Sequence, residues 1–458
     1  MTTTQNMRLT VHQNMPTAID ILKQLVRIPS IATDGYPRER VLEAAQITEA
    51  QLKAAGFQQV HQIKDLSGGY PAIYGEIPGP PGTPTVLLYA HYDVQPPGSI
   101  HEWNSPPFEP IVQNGRLYGR GTADDKSGIV AHLATMLAFN GRPPVGIKIV
   151  IEGDEEFDSS LPSYIPKRPD LFLADVVIIC DHGSIAVGQP TLTTTLRGSA
   201  SLTIEIRTLS GQQHNGVFGG PVPDALITLC RIIATLHDQH GNVQVPGLVP
   251  SDWQGANIPE EAFRRAVGLL PGVDLIGDRS LSTQLWASYA INVIGLDAPA
   301  IEGASNSLIE AARARINLRI PPDQNAERAL DILVQHIKSV TPWHAKVVIS
   351  DIHTSNGFVA KTDGTAYKAA QYALQEAYNK NIEIIGDGAS IPLTNVLSEQ
   401  FPQAEIIIWG AEDLDARIHG PNESVDLEEL ERIILTQVLF LNKLSEFIPS
   451  HQKRSELG

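Results

Sequence analysis

The stretch RGTADDKSG, Arg120 to Gly128, decides how this chain is read. It sets Asp124 and Asp125 ahead of a run with Ile129, Leu133, Met136 and Leu137 on one helical face, stopped at Asn140-Gly141. A carboxylate at a helix start is ordinary, because the helix dipole favours negative charge there. Asp125 and Lys126 suit that role of capping and support. Asp124 acquires another only when the neighbouring stretches are set beside it.

Upstream, Val86-Leu87-Leu88-Tyr89 is a continuous apolar run suited to a buried strand, and it delivers His91 and Asp93. Downstream, an apolar strand over 145–151 leads into Glu152-Gly153-Asp154-Glu155-Glu156, and another over 175–180 leads into Asp181. In open α/β sheets ligands bind beyond the carboxyl ends of the strands, so groups placed at three strand ends can converge on one crevice. A late loop, GAEDLDARIHGPNES, lies between a strand over 405–409 and a closing helix over 427–444, and carries His419.

A hydrolytic two-metal site needs a shared bridging group, separate ligands for each ion, a water and a base. The candidates are His91, Asp124, Glu156, Asp181 and His419 as ligands, with Glu155 left over as base. Mixed histidine and carboxylate ligation suits Zn²⁺ and admits Mn²⁺ or Co²⁺. Taken alone, Glu155-Glu156 reads as a solvated acidic pair, as Asp154 does, and His182 is a rival to Asp181.

The 458 residues suffice for about two or three domains, and a 42% hydrophobic content supports a sizeable core. With 34 basic against 51 acidic residues, the formal charge of -17 has the wrong sign for gripping nucleic acid or an anionic membrane. The only cysteines, Cys180 and Cys230, sit in apolar segments and read as buried reduced thiols, so the expected compartment is the cytoplasm. The polar start has no apolar signal region; a helix is expected to open at Pro16 and stop at Pro29.

Residues 98–118 read as a long surface loop. From about residue 196 the pattern becomes strand 201–207, helix 223–237, strands 285–294 and 313–320, helix 325–340 and strand 346–352. That order is the split β-α-β arrangement, a compact unit inserted into the first. The expected organisation is a catalytic domain made of 1–195 and 356–458 with an inserted domain of 196–355.

The motifs HYDVQP, GRGTADDKSG, EGDEE, the Asp181 strand end, QHNGVFGG and HGPNES, spread over roughly residues 85–425, resemble those of the co-catalytic zinc peptidases. That family includes carnosinase-type dipeptidases, carboxypeptidase G, aminoacylase and succinyl-diaminopimelate desuccinylase. The resemblance implies an α/β catalytic domain with a central mixed sheet, plus a ferredoxin-like α+β lid and dimerisation domain. It implies that Asp124 bridges two ions, His91 and Asp181 holding one and Glu156 and His419 the other. Asp93 would orient His91, Glu155 would act as base, and the Asp124-Asp125 peptide would be cis.

His214 resembles the residue that reaches a partner subunit's site and stabilises the oxyanion, which implies a homodimer; Asn215 here stands where the family commonly has serine. Arg319, in NLRIPPDQ, resembles the arginine that holds the substrate carboxylate. Asn306, and Ser390 in GASIP, resemble further substrate contacts. The activity implied is that of a dipeptidase or carboxypeptidase-type exopeptidase, with an N-acyl-amino-acid or carbamoyl amidohydrolase as the alternative. A non-catalytic metal-binding scaffold is the remote one.

Overall fold

The computed structural model describes residues 3–66 and 69–446; His451, expected to be a surface or packing histidine, lies outside them. The continuous apolar runs form the middle of a nine-stranded mixed sheet. Its order is Gln58–Ile63, Ala72–Ile77, Gly146–Glu152, Thr85–His91, Val176–Ile179, Glu405–Ile408, Thr191–Leu196 and Phe358–Val359, with Glu383–Asp387 also paired to Thr191–Leu196. The four middle strands run parallel, and their registers place His91 opposite Glu152 and Tyr89 opposite Ile179. Their carboxyl ends therefore finish at one edge of the molecule.

Both faces of those strands are largely buried, which is why they read as near-continuous apolar runs, with Lys148 as an interruption. Val86, Leu88, Ile149, Ile151 and Ile178 pack beneath the helices Thr3–Val26, Lys126–Ala138, Thr365–Tyr378 and Leu427–Leu444. The alternate residues Leu87, Tyr89, Val150, Val177 and Ile179 pack against Leu161, Phe172 and Leu397 on the other face. Each fully buried Leu, Ile or Val contributes roughly 1.5–3 kcal/mol.

The first helix spans Thr3–Val26 and passes through Pro16 instead of starting there. Val11, Met15, Ala18, Leu22 and Leu25 form one buried stripe across the proline. Pro16 itself is exposed, so the carbonyl that it leaves without a partner can face water. Arg8 adds bonds to the Glu376 and Ala377 carbonyls. None of the described helices is long and apolar enough to cross a membrane.

The 98–118 segment is not all loop. Ile111–Gln113 and Arg116–Tyr118 form a hairpin over Asn114-Gly115, both at positive φ, the backbone that a tight two-residue hairpin turn demands. The hairpin pairs in turn with Ser424–Asp426, tying the late loop to the stretch before Asp124.

A second sheet, wholly antiparallel, has the order Ala290–Asp297, Ala311–Ile320, Gly198–Arg207, Lys346–Ser355. Its buried face (Leu202, Ile204, Ile316, Leu318) packs on Leu229 and Ile232 of Ala225–Ile233 and on Leu333 and Ile337 of Ala326–Val340. Leu285, expected in a strand, lies in the helix Leu281–Trp286, capped by Ser280, and the strand starts only at Ala290. Cys230 is exposed: Ala225, Thr228, Leu229 and Ile232 of its helix are the buried residues, while Cys230 shares the outer side with Ile227. Cys180 is buried as expected.

Candidate metal centre

His91 closes its strand, and each of its ring nitrogens lies near an aspartate. Nδ1 lies 3.1 Å from the Asp93 carbonyl and 3.4 Å from its carboxylate. Nε2 lies 3.0 Å from Asp124 Oδ1 and 3.5 Å from Asp181 Oδ1, yet it is buried and has no hydrogen bond of proper geometry. The other oxygen of Asp124, Oδ2, lies 2.9 Å from Nε2 of His419, which is also 3.1 Å from Glu156 Oε2. The structure thus gathers His91, Asp124 and Asp181 in one group, and Asp124, Glu156 and His419 in a second. Asp124 belongs to both, one oxygen to each.

The backbone around Asp124 is held from several sides. The Asp124-Asp125 peptide bond is cis. Asp125 caps the following helix by accepting the Gly128 N–H, and also accepts the His91 N–H at 3.1 Å, joining strand end to helix start. A Cβ on Gly128 would sit 2.2 Å from Asp125 Oδ1 and 2.4 Å from the Cys180 carbonyl, so only glycine fits. Lys126 is buried and donates to the Leu25 and Ile28 carbonyls.

Glu423 plays the largest supporting part. Its carboxylate accepts the N–H groups of Gly121, Ala123 and Asp124 and pairs with the buried Arg120 at 2.6 Å. Nothing in the sequence singled it out except its place in HGPNES, four residues past His419. Breaking a buried ion pair on one side costs about 3–5 kcal/mol, because the remaining charge is left uncompensated. Glu423→Ala is therefore expected to lower unfolding stability by about that amount. Denaturant unfolding checks it: a loss near zero would show that the Arg120 pairing is dispensable.

Asp93 does more than orient His91. Its two oxygens accept the N–H groups of Glu155 and Glu156, at 3.2 and 3.0 Å. One carboxylate so lies against the His91 ring and holds the backbone of both Glu155 and Glu156. Asp154, expected to be solvated, is buried and bonded to the Ser160 hydroxyl. His182 is no rival for Asp181: its Nε2 faces Asp387 at 3.5 Å, while Asp181 faces His91.

Arg319 donates to Ser390 Oγ at 3.3 Å, bringing two of the candidate substrate contacts together. Beside them lies Arg197, which sequence reading missed: it is buried, its Nε is unpaired, and Arg319 adds to the burial that holds its pKa down to about 10. His214 and Asn306 meet elsewhere. His214 is exposed, with its Nδ1 accepting the Gly216 N–H, and the Asn306 carbonyl accepts the Asn215 N–H. Neither belongs to the two ligand groups of this chain.

The donor set fits divalent cations. Two ligands bound ~2.0–2.1 Å from a zinc ion sit ~3.3 Å apart at tetrahedral angles, and the separations here run from 2.9 to 3.5 Å. The cluster also attracts positive charge: Asp124 and Glu156 raise His419 to about 10, against the opposing effect of burial. Burial pushes Glu156 and Asp181 above the usual carboxylate range. A buried imidazole whose Nε2 has no hydrogen-bond partner, set among carboxylates, is a donor arrangement that suits a divalent cation.

The profile of peptidase family M20/M25/M40 matches residues 87–443. A cysteinylglycine-S-conjugate dipeptidase from Corynebacterium striatum is 40% identical over 366 residues, covering 78% of this chain and 80% of that protein. The Beta-Ala-His dipeptidase of Homo sapiens is 26% identical over 440 residues, covering 89% and 86%. Among solved structures, human carnosine dipeptidase 1 superimposes with a TM-score of 0.82 at 23% identity, over 98% of this chain and all of that one, which shows a shared fold. The chain belongs to peptidase family M20/M25/M40.

Proposed function

We propose that this protein is a metal-dependent dipeptidase that hydrolyses an amide bond next to a free carboxylate. The carrying observation is the division of Asp124 between two ligand groups, one oxygen to each. The dipeptidases among its relatives support the same reading. His91, Asp124 and Asp181 would hold one ion and Asp124, Glu156 and His419 the other; Zn²⁺ suits these donors, and Mn²⁺ or Co²⁺ would also be accepted. When bound, the cations would supply polarisation of the scissile carbonyl and a water that is nucleophilic near neutral pH.

Glu155 takes a proton from the attacking water and hands it to the leaving amine nitrogen. Burial pushes its carboxyl well above the usual range, which suits a group that must hold a proton between two transfers. Asp93 keeps Glu155 and His91 in mutual register. Arg319 offers its planar fork to the substrate carboxylate, steadied by Ser390; Asn306, which lies beside His214, would add its contact together with that histidine across the subunit interface.

The antiparallel sheet, with its own core, supports reading 196–355 as an inserted ferredoxin-like lid and dimerisation domain between catalytic portions 1–195 and 356–458. Its edge strand leaves Val293, Ile294 and Leu296 exposed, an edge that a second subunit would cover. His214, exposed and remote from its own ligand groups, then serves the partner's site by stabilising the oxyanion. The free cysteines fit a reducing, cytoplasmic setting.

Two experiments check this. Assayed side by side, dipeptides are expected to be cleaved in a chelator-sensitive way; preferential cleavage of N-acetyl amino acids would favour an amidohydrolase instead. Co-expressed Glu155→Ala and His214→Ala subunits, each inactive alone, are expected to regain turnover, because a mixed dimer contains one intact site. No recovery would place His214 in the site of its own chain or outside catalysis.

A further inference from the structure

Residues 91–95 alternate past the end of their strand. Tyr92 and Val94 are fully buried, and their N–H groups are taken by the Glu152 and Ser30 carbonyls. The residues between and beside them, His91, Asp93 and Gln95, all reach the ligand groups, at the two-residue spacing by which an extended chain sets side chains on one side. Gln95 reaches Glu156 alone. Its Nε2 lies 3.0 Å from Oε2 of the Glu156 carboxylate and 3.1 Å from the Glu156 carbonyl oxygen. Both of these atoms accept, so the group that faces them is the amide –NH₂, which has one hydrogen for each.

The amide is braced from the chain that follows it. Pro96 and Pro97 come next, each with its φ set by the ring. The Pro96 carbonyl accepts from Arg120 at 3.2 Å, and the Pro97 carbonyl accepts the Trp103 indole N–H at 2.8 Å. The same Arg120 pairs with Glu423 and lies over the Trp103 ring at 5.5 Å. Support of this kind matters more in the second ligand group than in the first. The His419 side chain is 54% exposed on its loop, whereas that of His91 is 1% exposed. The Glu156 oxygen that Gln95 holds is also the one that lies 3.1 Å from His419 Nε2.

Resting on the two-metal reading, we infer that Gln95 is a positioning residue: it fixes the Glu156 carboxylate and thereby sets the affinity of the ion assigned to Asp124, Glu156 and His419, while leaving the other ion alone. Groups that hydrogen-bond a ligating side chain fix its direction, and losing one costs about 10–100-fold in metal affinity. Without the amide, Glu156 keeps its main-chain anchor on Asp93, yet nothing else listed for its side chain but His419 holds the carboxylate in place. His91 and Asp181 have no contact with Gln95, so their ion has no reason to respond.

The test titrates full-length, metal-stripped protein with Zn²⁺ and reads binding by calorimetry. Gln95→Met keeps the length of the side chain and removes the donor. It is expected to bind one ion about 10–100-fold more weakly than the wild type does and the other with unchanged affinity. Two further backgrounds say which ion is affected. In Asp181→Ala, where only the second group keeps its three donors, Gln95→Met should weaken the remaining ion by the same factor. In Glu156→Ala, where only the first group keeps its three, it should change nothing. Unchanged binding, both ions weakened alike, or a loss that persists in Glu156→Ala overturns the assignment. If the wild-type protein binds no ion, the two-metal reading itself fails and this proposal with it.

Discussion

Asp124→Ala is expected to bind neither metal ion and to lose peptide hydrolysis altogether. The two oxygens of Asp124 lie 3.0 Å from His91 Nε2 and 2.9 Å from His419 Nε2, so one truncation removes a ligand from both groups. Each group would be reduced to two protein donors, short of the three that catalytic zinc sites keep. It also leaves Glu156, Asp181 and Glu155 crowded in a buried place with less reason to be there. His91→Ala or His419→Ala removes a donor from one group only, and should mainly weaken one ion. Elemental analysis of purified variants separates these cases: an Asp124→Ala protein with a full metal complement would show that Asp124 is not shared.

Glu155→Gln is expected to keep its metal and fold while kcat falls by about 10²–10⁴, the range associated with losing a general base. The variant is clean because Asp93 grips residue 155 through its backbone N–H, which the substitution leaves in place. The neighbouring ligand Glu156 is anchored by the same carboxylate and should not move. Glutamine keeps the size of the side chain but cannot carry the proton. A variant with normal metal content and wild-type kcat would remove Glu155 from the mechanism.

The candidate ligands at strand ends were legible because those strands are buried on both faces, so each is a largely apolar run with a polar residue at or just past its end. Asp124, by contrast, gained its meaning only from its neighbours, since an acid before a helix is common. What stayed hidden depended on contacts between distant segments. Glu423 is a loop acid until the pairing of Arg116–Tyr118 with Ser424–Asp426 sets it against Arg120. The first helix hid behind Pro16, although the Val11, Met15, Ala18 and Leu22 spacing ran straight through it. Asp154 looked solvated because a run of acids usually is; the fold buries it instead against Ser160.

The central claim is that two ions share one carboxylate and that hydrolysis depends on them. Titrating metal-stripped protein with Zn²⁺, while following both bound metal and dipeptide hydrolysis, tests it most directly. The expected result is two equivalents bound per chain in the wild type, with activity rising as they bind, and none retained by Asp124→Ala. Hydrolysis by the stripped protein, or two equivalents bound with Asp124 replaced, would contradict it.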